Sequence, residues 1–167
     1  MATFDYARQD VFGGTFGIRA RLVYFHKFTR EIFPEEPGID EIREPSGSAP
    51  GLLKYRATFG GGWSTKLFAL GFDGQYFHSR RLPQTEWNFQ GARTIAPYWQ
   101  TDLYAQADLG HWFLPSESHY GLKGQIRVNN VFKKGYPYYA NEASGAGIQP
   151  YGDWRGRTLS LSLTAEF

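Results

Sequence analysis

A strict alternation of apolar and polar residues is the feature that most constrains this chain. Residues 158–167 read TLSLSLTAEF, so Leu159, Leu161, Leu163, Ala165 and Phe167 fall on one face of an extended segment, while Thr158, Ser160, Ser162, Thr164 and Glu166 fall on the other. Successive side chains point to opposite faces in a β-strand, so this segment is predicted to be a strand with one apolar and one polar face. The same period recurs upstream. In residues 15–28, Phe16, Ile18, Ala20, Leu22 and Tyr24 oppose Arg19 and Arg21; in 51–60, Leu53, Tyr55, Ala57 and Phe59 oppose Lys54, Arg56 and Thr58. In 63–80, Phe68, Leu70, Phe72 and Tyr76 oppose Asp73 and Gln75. Residues 98–110 and 119–132 continue the series, and Phe4 and Tyr6 mark a shorter segment at 2–8. The predicted fold class is all-β, an antiparallel up-and-down meander of about seven strands.

Strand length and the connections narrow this further. Most of the segments reach the roughly 9–11 residues with which a tilted strand crosses a bilayer, whereas strands of soluble domains run to about 5–6. The connections alternate: a turn at 9–14, a long loop at 30–50, a tight turn at Gly60-Gly61-Gly62, a long loop at 81–97, a moderate one at 111–118 and a long one at 133–155. Short turns on one rim and long loops on the other are the layout of an outer-membrane barrel. Arg19, Arg21, Lys54, Arg56, Asp102, Asp108, Lys123 and Arg127 all fall in phase with the polar face, which in a barrel is the lumen. Trp63, Trp99, Trp112 and Tyr120 fall near strand ends, where aromatic girdles lie. A last strand that ends on an outward-facing Phe, here Phe167, is typical of the same class.

Composition excludes several other classes. Rings make up 18% of the chain and Gly contributes 20 residues, yet mean hydropathy is −0.48. This mixture suits a wall whose lipid-facing residues are diluted by polar ones, and equally a soluble β-barrel. The longest apolar run, 67–72, is far shorter than the about 20 residues of a membrane-spanning helix. Net charge is +2 and basic residues cluster no further than the pairs Arg80-Arg81 and Lys133-Lys134, so nucleic acid is not an expected partner. Without cysteine there is neither a disulfide nor thiolate chemistry. The residues after Met1 have neither the basic nor the apolar stretch of a secretory signal, so none is expected within this chain.

Residues 130–137, NVFKKGYP, resemble the Asn-aliphatic-Phe-x-x-x-Tyr-Pro stretch of TonB-dependent outer-membrane receptors. Two further passages match that family in order: Gly156-Arg157-Thr158-Leu159 leading into the strand that ends at Phe167, and the succession over 50–80 of a Pro before a strand, a Gly-rich turn and a Tyr-bearing strand. The likeness covers essentially the whole chain and is strongest from Tyr98 onward; Lys133 stands where the family commonly has an acidic or amide residue. The resemblance implies residues 1–167 as the C-terminal part of a transmembrane barrel of about 22 strands closed around a plug. It also implies a bacterial outer-membrane location and a share in TonB-dependent uptake of a scarce nutrient such as a siderophore or carbohydrate, with no enzymatic activity and no cofactor. Its partners would be outer-membrane lipid and lipopolysaccharide, the barrel-assembly machinery, and the TonB complex through a plug that this chain is expected to lack. The assembly machinery would read Leu159, Leu161, Leu163 and Phe167. Seven strands is the wrong parity for an autonomous bacterial barrel, so the chain is expected to be the last third of a receptor. Two other classes stay open: a small autonomous outer-membrane barrel, porin-like or acting on lipids, and a soluble ligand-binding β-barrel.

The long loops hold the candidate binding residues. Arg80, Arg81 and Arg93 surround Trp87 and Phe89, and guanidinium groups beside rings suit an anionic, partly aromatic ligand such as a metal-loaded siderophore. Lipopolysaccharide contact or plain solubility is the competing reading. Tyr136, Tyr138 and Tyr139, with Tyr151 and Trp154, suit either a substrate vestibule or a rim girdle. The acidic loop 30–50 lacks the spacing of a calcium loop and is read as solvated. His26, His78, His111 and His119 have no metal-ligand spacing, and His26 and His78 have no evident Ser partner. No catalytic set and no metal site is therefore expected.

Overall fold

In a computed structural model, which describes residues 1–31, 34, 37–45, 52–113, 121–141, 145–148 and 155–166, seven strands form one sheet. They are Ala2–Val11, Gly14–Tyr24, Tyr55–Ser64, Phe68–Phe77, Tyr98–Asp108, Gly121–Asn129 and Thr158–Glu166. Each pairs antiparallel with the next in sequence, so the sheet is the all-β meander that the alternation predicts. The first and last strands each have a single neighbour in it.

The registers carry the alternation across the whole sheet. On one face, Phe4 lies opposite Ala20 and Ala20 opposite Phe59. Further along, Leu70, Ala105, Ile126 and Leu161 form a row across the last four strands. On the other face, Asp5, Arg19, Gly60, Asp73 and Asp102 form a row across the first five. A slip of one residue in any pair would mix the faces.

The sequence expectation of a turn at Gly60-Gly61-Gly62 is corrected. These glycines lie inside the third strand, and the turn falls at 65–67, where Thr65 Oγ1 accepts from the Leu67 and Phe68 amides at 3.2 and 3.0 Å. Trp63, expected at the start of the fourth strand, therefore closes the third and lies opposite Leu70. The glycines serve close approach. A Cβ on Gly61 would stand 2.9 Å from the Phe72 ring, and one on Gly62 would stand 3.2 Å from the Tyr104 hydroxyl. Large cross-strand rings are accommodated by a strand that has no side chain to displace.

The connections separate by length as expected. At one end lie Phe12-Gly13, both at positive φ as a tight two-residue hairpin requires, the Thr65 turn, and the connection that begins with the short helix Gly110–Phe113. At the other end lie 25–54, 78–97 and 130–157, which carry the small ribbons Thr29–Arg30 with Ile39–Asp40, Arg80–Arg81 with Thr94–Ile95, and Tyr138–Asn141 with Gly145–Ile148. The buried apolar residues, among them Ile42, Leu53, Phe77, Leu82, Ile95 and Tyr98, gather at this loop end. In mid-sheet the apolar face is open: Leu70, Leu103 and Ile126 are 51%, 45% and 41% exposed although they lie on interior strands.

Candidate functional site

The polar face is organised by a chain of charged and amide side chains crossing the strands. Arg19 Nη2 donates to Asp73 Oδ1 at 2.6 Å, passing over Gly60 of the strand between them. A Cβ on Gly60 would meet Asp73 Oδ1 at 2.9 Å and Arg19 Nε at 3.3 Å, so only glycine leaves this route open. Arg127 Nη2 reaches both Asp73 Oδ2 and Asp102 Oδ2 at 3.4 Å, and its Nε donates to Asn129 Oδ1 at 3.0 Å. Asp102 Oδ1 accepts from Gln100 at 3.0 Å and from the buried Asn130 amide at 2.9 Å. Asn129 extends the chain to Thr158 on the last strand at 2.9 Å. A row of alternating charges of this kind satisfies groups that would otherwise be costly to enclose.

The loop end builds a cleft from two connections. Asp40 shapes the first: its Oδ1 accepts from the Ile42 amide at 3.2 Å, its carbonyl accepts from the Arg43 and Glu44 amides, and its carboxylate lies 3.6 Å from Arg43 Nε. Burial pushes this carboxyl up, but the Ile42 and Phe28 amides and the charges of Arg43 and Lys27 outweigh it and hold Asp40 below its ordinary value. Glu41 is 2% exposed beside Arg30, so the acidic loop is not simply a solvated run. The second connection contributes the ribbon Arg80–Arg81 with Thr94–Ile95 and the short helix Trp87–Gln90, closed by Gly91 at positive φ. Trp87 Nε1 donates to the Leu82 carbonyl at 2.9 Å, which fixes the indole, and the Arg93 guanidinium lies 4.8 Å from that ring. Arg81 Nη1 donates to the Arg43 carbonyl at 3.0 Å. Arg43, Glu44, Arg81, Trp87 and Arg93 thereby line one cavity of about 550 Å³.

Three of the seven residues singled out in the sequence as ligand-binding, Arg81, Trp87 and Arg93, thus meet in one place. The other four lie apart from it. Arg80 is 1% exposed, 4.8 Å from the Tyr139 ring, and the Tyr139 hydroxyl donates to the Glu86 carboxylate at 3.0 Å. Tyr136 packs on the cluster of Leu53, Phe77 and Tyr98, with its ring 5.0 Å from that of Tyr98. Tyr138 is exposed, and its carbonyl accepts from Gln90 Nε2 at 3.0 Å while Gln90 Oε1 accepts from the Ala140 amide at 2.6 Å. Gln90 therefore ties the second long connection to the third as a strand edge would. Arg43 and Gln90 are missing from the sequence expectation, because an arginine in an acidic loop and a glutamine in a short helix carry no pattern.

Leu159, Leu161 and Leu163 are exposed on the apolar face of the last strand; Phe167, Tyr120, Tyr151 and Trp154 lie outside the described residues. Trp63 donates to the Val11 carbonyl at the turn end and Trp112 lies beside Phe68, while Trp99 lies beside Phe132 at the loop end. His78 has a serine neighbour after all, Ser79 Oγ at 3.4 Å from its Nε2. Its Nδ1 faces the Tyr76 hydroxyl at 3.2 Å, and among the described residues no carboxylate joins the pair. Compared with protein-family models, with curated proteins and with solved structures, the chain matches none.

Proposed function

We propose that this chain is a stretch of wall, with its outer loops, from a bacterial outer-membrane β-barrel of the TonB-dependent receptor kind, serving uptake of a scarce nutrient. The observation that carries the reading is the uncovered apolar face. Leu70, Phe72, Leu103 and Ile126 stand open in the middle of the sheet, while the opposite face spends its side chains on the Arg19–Asp73–Arg127–Asp102 chain. A water-soluble sheet does the reverse, burying its apolar face and solvating its polar one. Rings bracket the apolar band: Phe16 and Trp63 face each other near the turn end, Tyr24 and Tyr55 near the loop end. From Phe16 to Tyr24 is about 26 Å of strand, which at the tilt of about 35–45° in such barrels spans about 20 Å of their roughly 25 Å apolar band. Among barrels, the motif resemblance over 130–137 supports the receptor family.

On this reading the wall contacts lipid and lipopolysaccharide, further strands pair with the first and last strands of the sheet, and the assembly machinery reads the final alternating strand. The segment itself is passive, and coupling to TonB belongs to a plug. The test is refolding with and without detergent micelles, followed by sheet content and size. The sheet is expected to form only with micelles, and with Leu70→Arg destabilised by about 2–4 kcal/mol while Gln75→Arg on the polar face is tolerated. A sharp, folded species in plain buffer would sink the proposal.

A further inference from the structure

We propose that the cleft between the first and second long connections is an oxyanion site whose ligand carries a phosphate group, held by Arg43, Arg81 and Arg93 against the Trp87 ring. Three arginines line the cavity beside one acidic residue, Glu44. Among the described residues no acidic side chain forms an ion pair with Arg81 or Arg93. Among the described residues, the contacts of each of the three leave donors unspent. The Arg93 guanidinium carbon lies 4.8 Å over the Trp87 ring, a cation–π contact that commits none of its N–H groups to an oxygen. Among the described residues Arg81 commits Nη1 to the Arg43 carbonyl, and Arg43 meets Asp40 through Nε. Guanidinium forks match carboxylate and phosphate alike, but a carboxylate offers two oxygens and a phosphomonoester three, one for each fork. The indole, fixed by its bond to the Leu82 carbonyl, supplies a flat apolar wall beside them. A volume of about 550 Å³ admits a small organic phosphate.

The same chemistry reaches a loop rim from two sources, a dissolved organic phosphate or the phosphate headgroup of a lipid in the adjoining leaflet. The assignment rests on the cleft and holds whether or not the wall belongs to a receptor. The full chain, refolded in a phosphate-free maltoside detergent, is titrated calorimetrically with phenyl phosphate and with benzoate. Phenyl phosphate is expected to bind more tightly than benzoate. Arg81→Gln and Arg93→Gln are each expected to weaken it about tenfold, and Arg93→Lys nearly as much, because a point charge does not replace a fork. Arg21→Gln, on the polar face of the sheet, serves as the control and is expected to bind as the parent does. In neutral-lipid vesicles with or without phosphatidic acid, a Trp87-dependent emission change that requires the phosphatidic acid identifies the lipid source. Unaltered phenyl phosphate binding in those vesicles, with no response to phosphatidic acid, identifies the dissolved one. Sheet content measured on every variant separates lost binding from lost folding. Chain that folds in detergent but binds no phenyl phosphate at about 10 mM, or binds it equally after both Arg→Gln changes, overturns this site and leaves the barrel reading standing. Should the chain fold in plain buffer instead, the barrel reading fails and the same titration there decides the site.

Discussion

Arg19 reaches Asp73 because the residue between them, Gly60, has no side chain. Valine at that position places methyl groups in the path of the ion pair, and Gly60→Val is expected to cost about 1–3 kcal/mol in urea unfolding from micelles. The cost is expected to shrink in an Arg19→Gln background, where there is no pair left to obstruct; such coupling is what a double-mutant cycle reads. Asn130 works differently. It holds φ at 51°, is 1% exposed, and clasps Lys134 twice, through Nδ2 to its carbonyl at 3.0 Å and through Oδ1 from its amide at 2.9 Å. Asn130→Ala loses both bonds and leaves a β-carbon in the left-handed region, for an expected loss of about 2–4 kcal/mol. Asn130→Gly is expected to recover only the backbone part of that. The sequence marks Asn130 through its motif, but the reason for the residue, a side chain that closes a turn on a backbone four residues away, has no periodic signature. The sequence shows Gly60 as one of a glycine run but not its place inside a strand, because such a run looks the same whether the chain bends there or a neighbour needs the space.

Among the elements, the strands were legible because period-two alternation is their own geometry, and the pairing follows their antiparallel order along the chain. The long connections were not, because their shape comes from single side chains such as Asp40, Trp87 and Gln90 that answer to partners far away in sequence. Asp40 gives this a pH signature. Its folded carboxyl lies below the ordinary value, so its contribution is complete above about pH 3.9, the unfolded value, and is lost as pH falls through the lower folded one. Protection of the Ile42 amide, bonded to Asp40 at 3.2 Å, is expected to fall as pH drops through that window, and an Asp40→Asn chain is expected to show no such transition. Gln90 predicts a mechanical link in the same region. Gln90→Ala is expected to release the Tyr138–Asn141 ribbon, read as faster exchange at the Ala140 amide with the sheet unchanged.

At the scale of the whole molecule, the two ends of the sheet differ in what holds them. Along most of their length the strands have backbone pairing, a polar chain on one face and an open apolar band on the other. At the loop end, Leu53, Phe77, Tyr98 and Tyr136 form a cluster of the kind that water alone drives together. Those residues come from the approach to the third strand, the end of the fourth, the start of the fifth and the last long connection. Their cohesion therefore needs nothing beyond water, whereas the apolar band stays uncovered among the described residues. The strands resemble the teeth of a comb joined at its spine: with the cluster closed, the third, fourth and fifth strands start level with one another, which favours the registers they share.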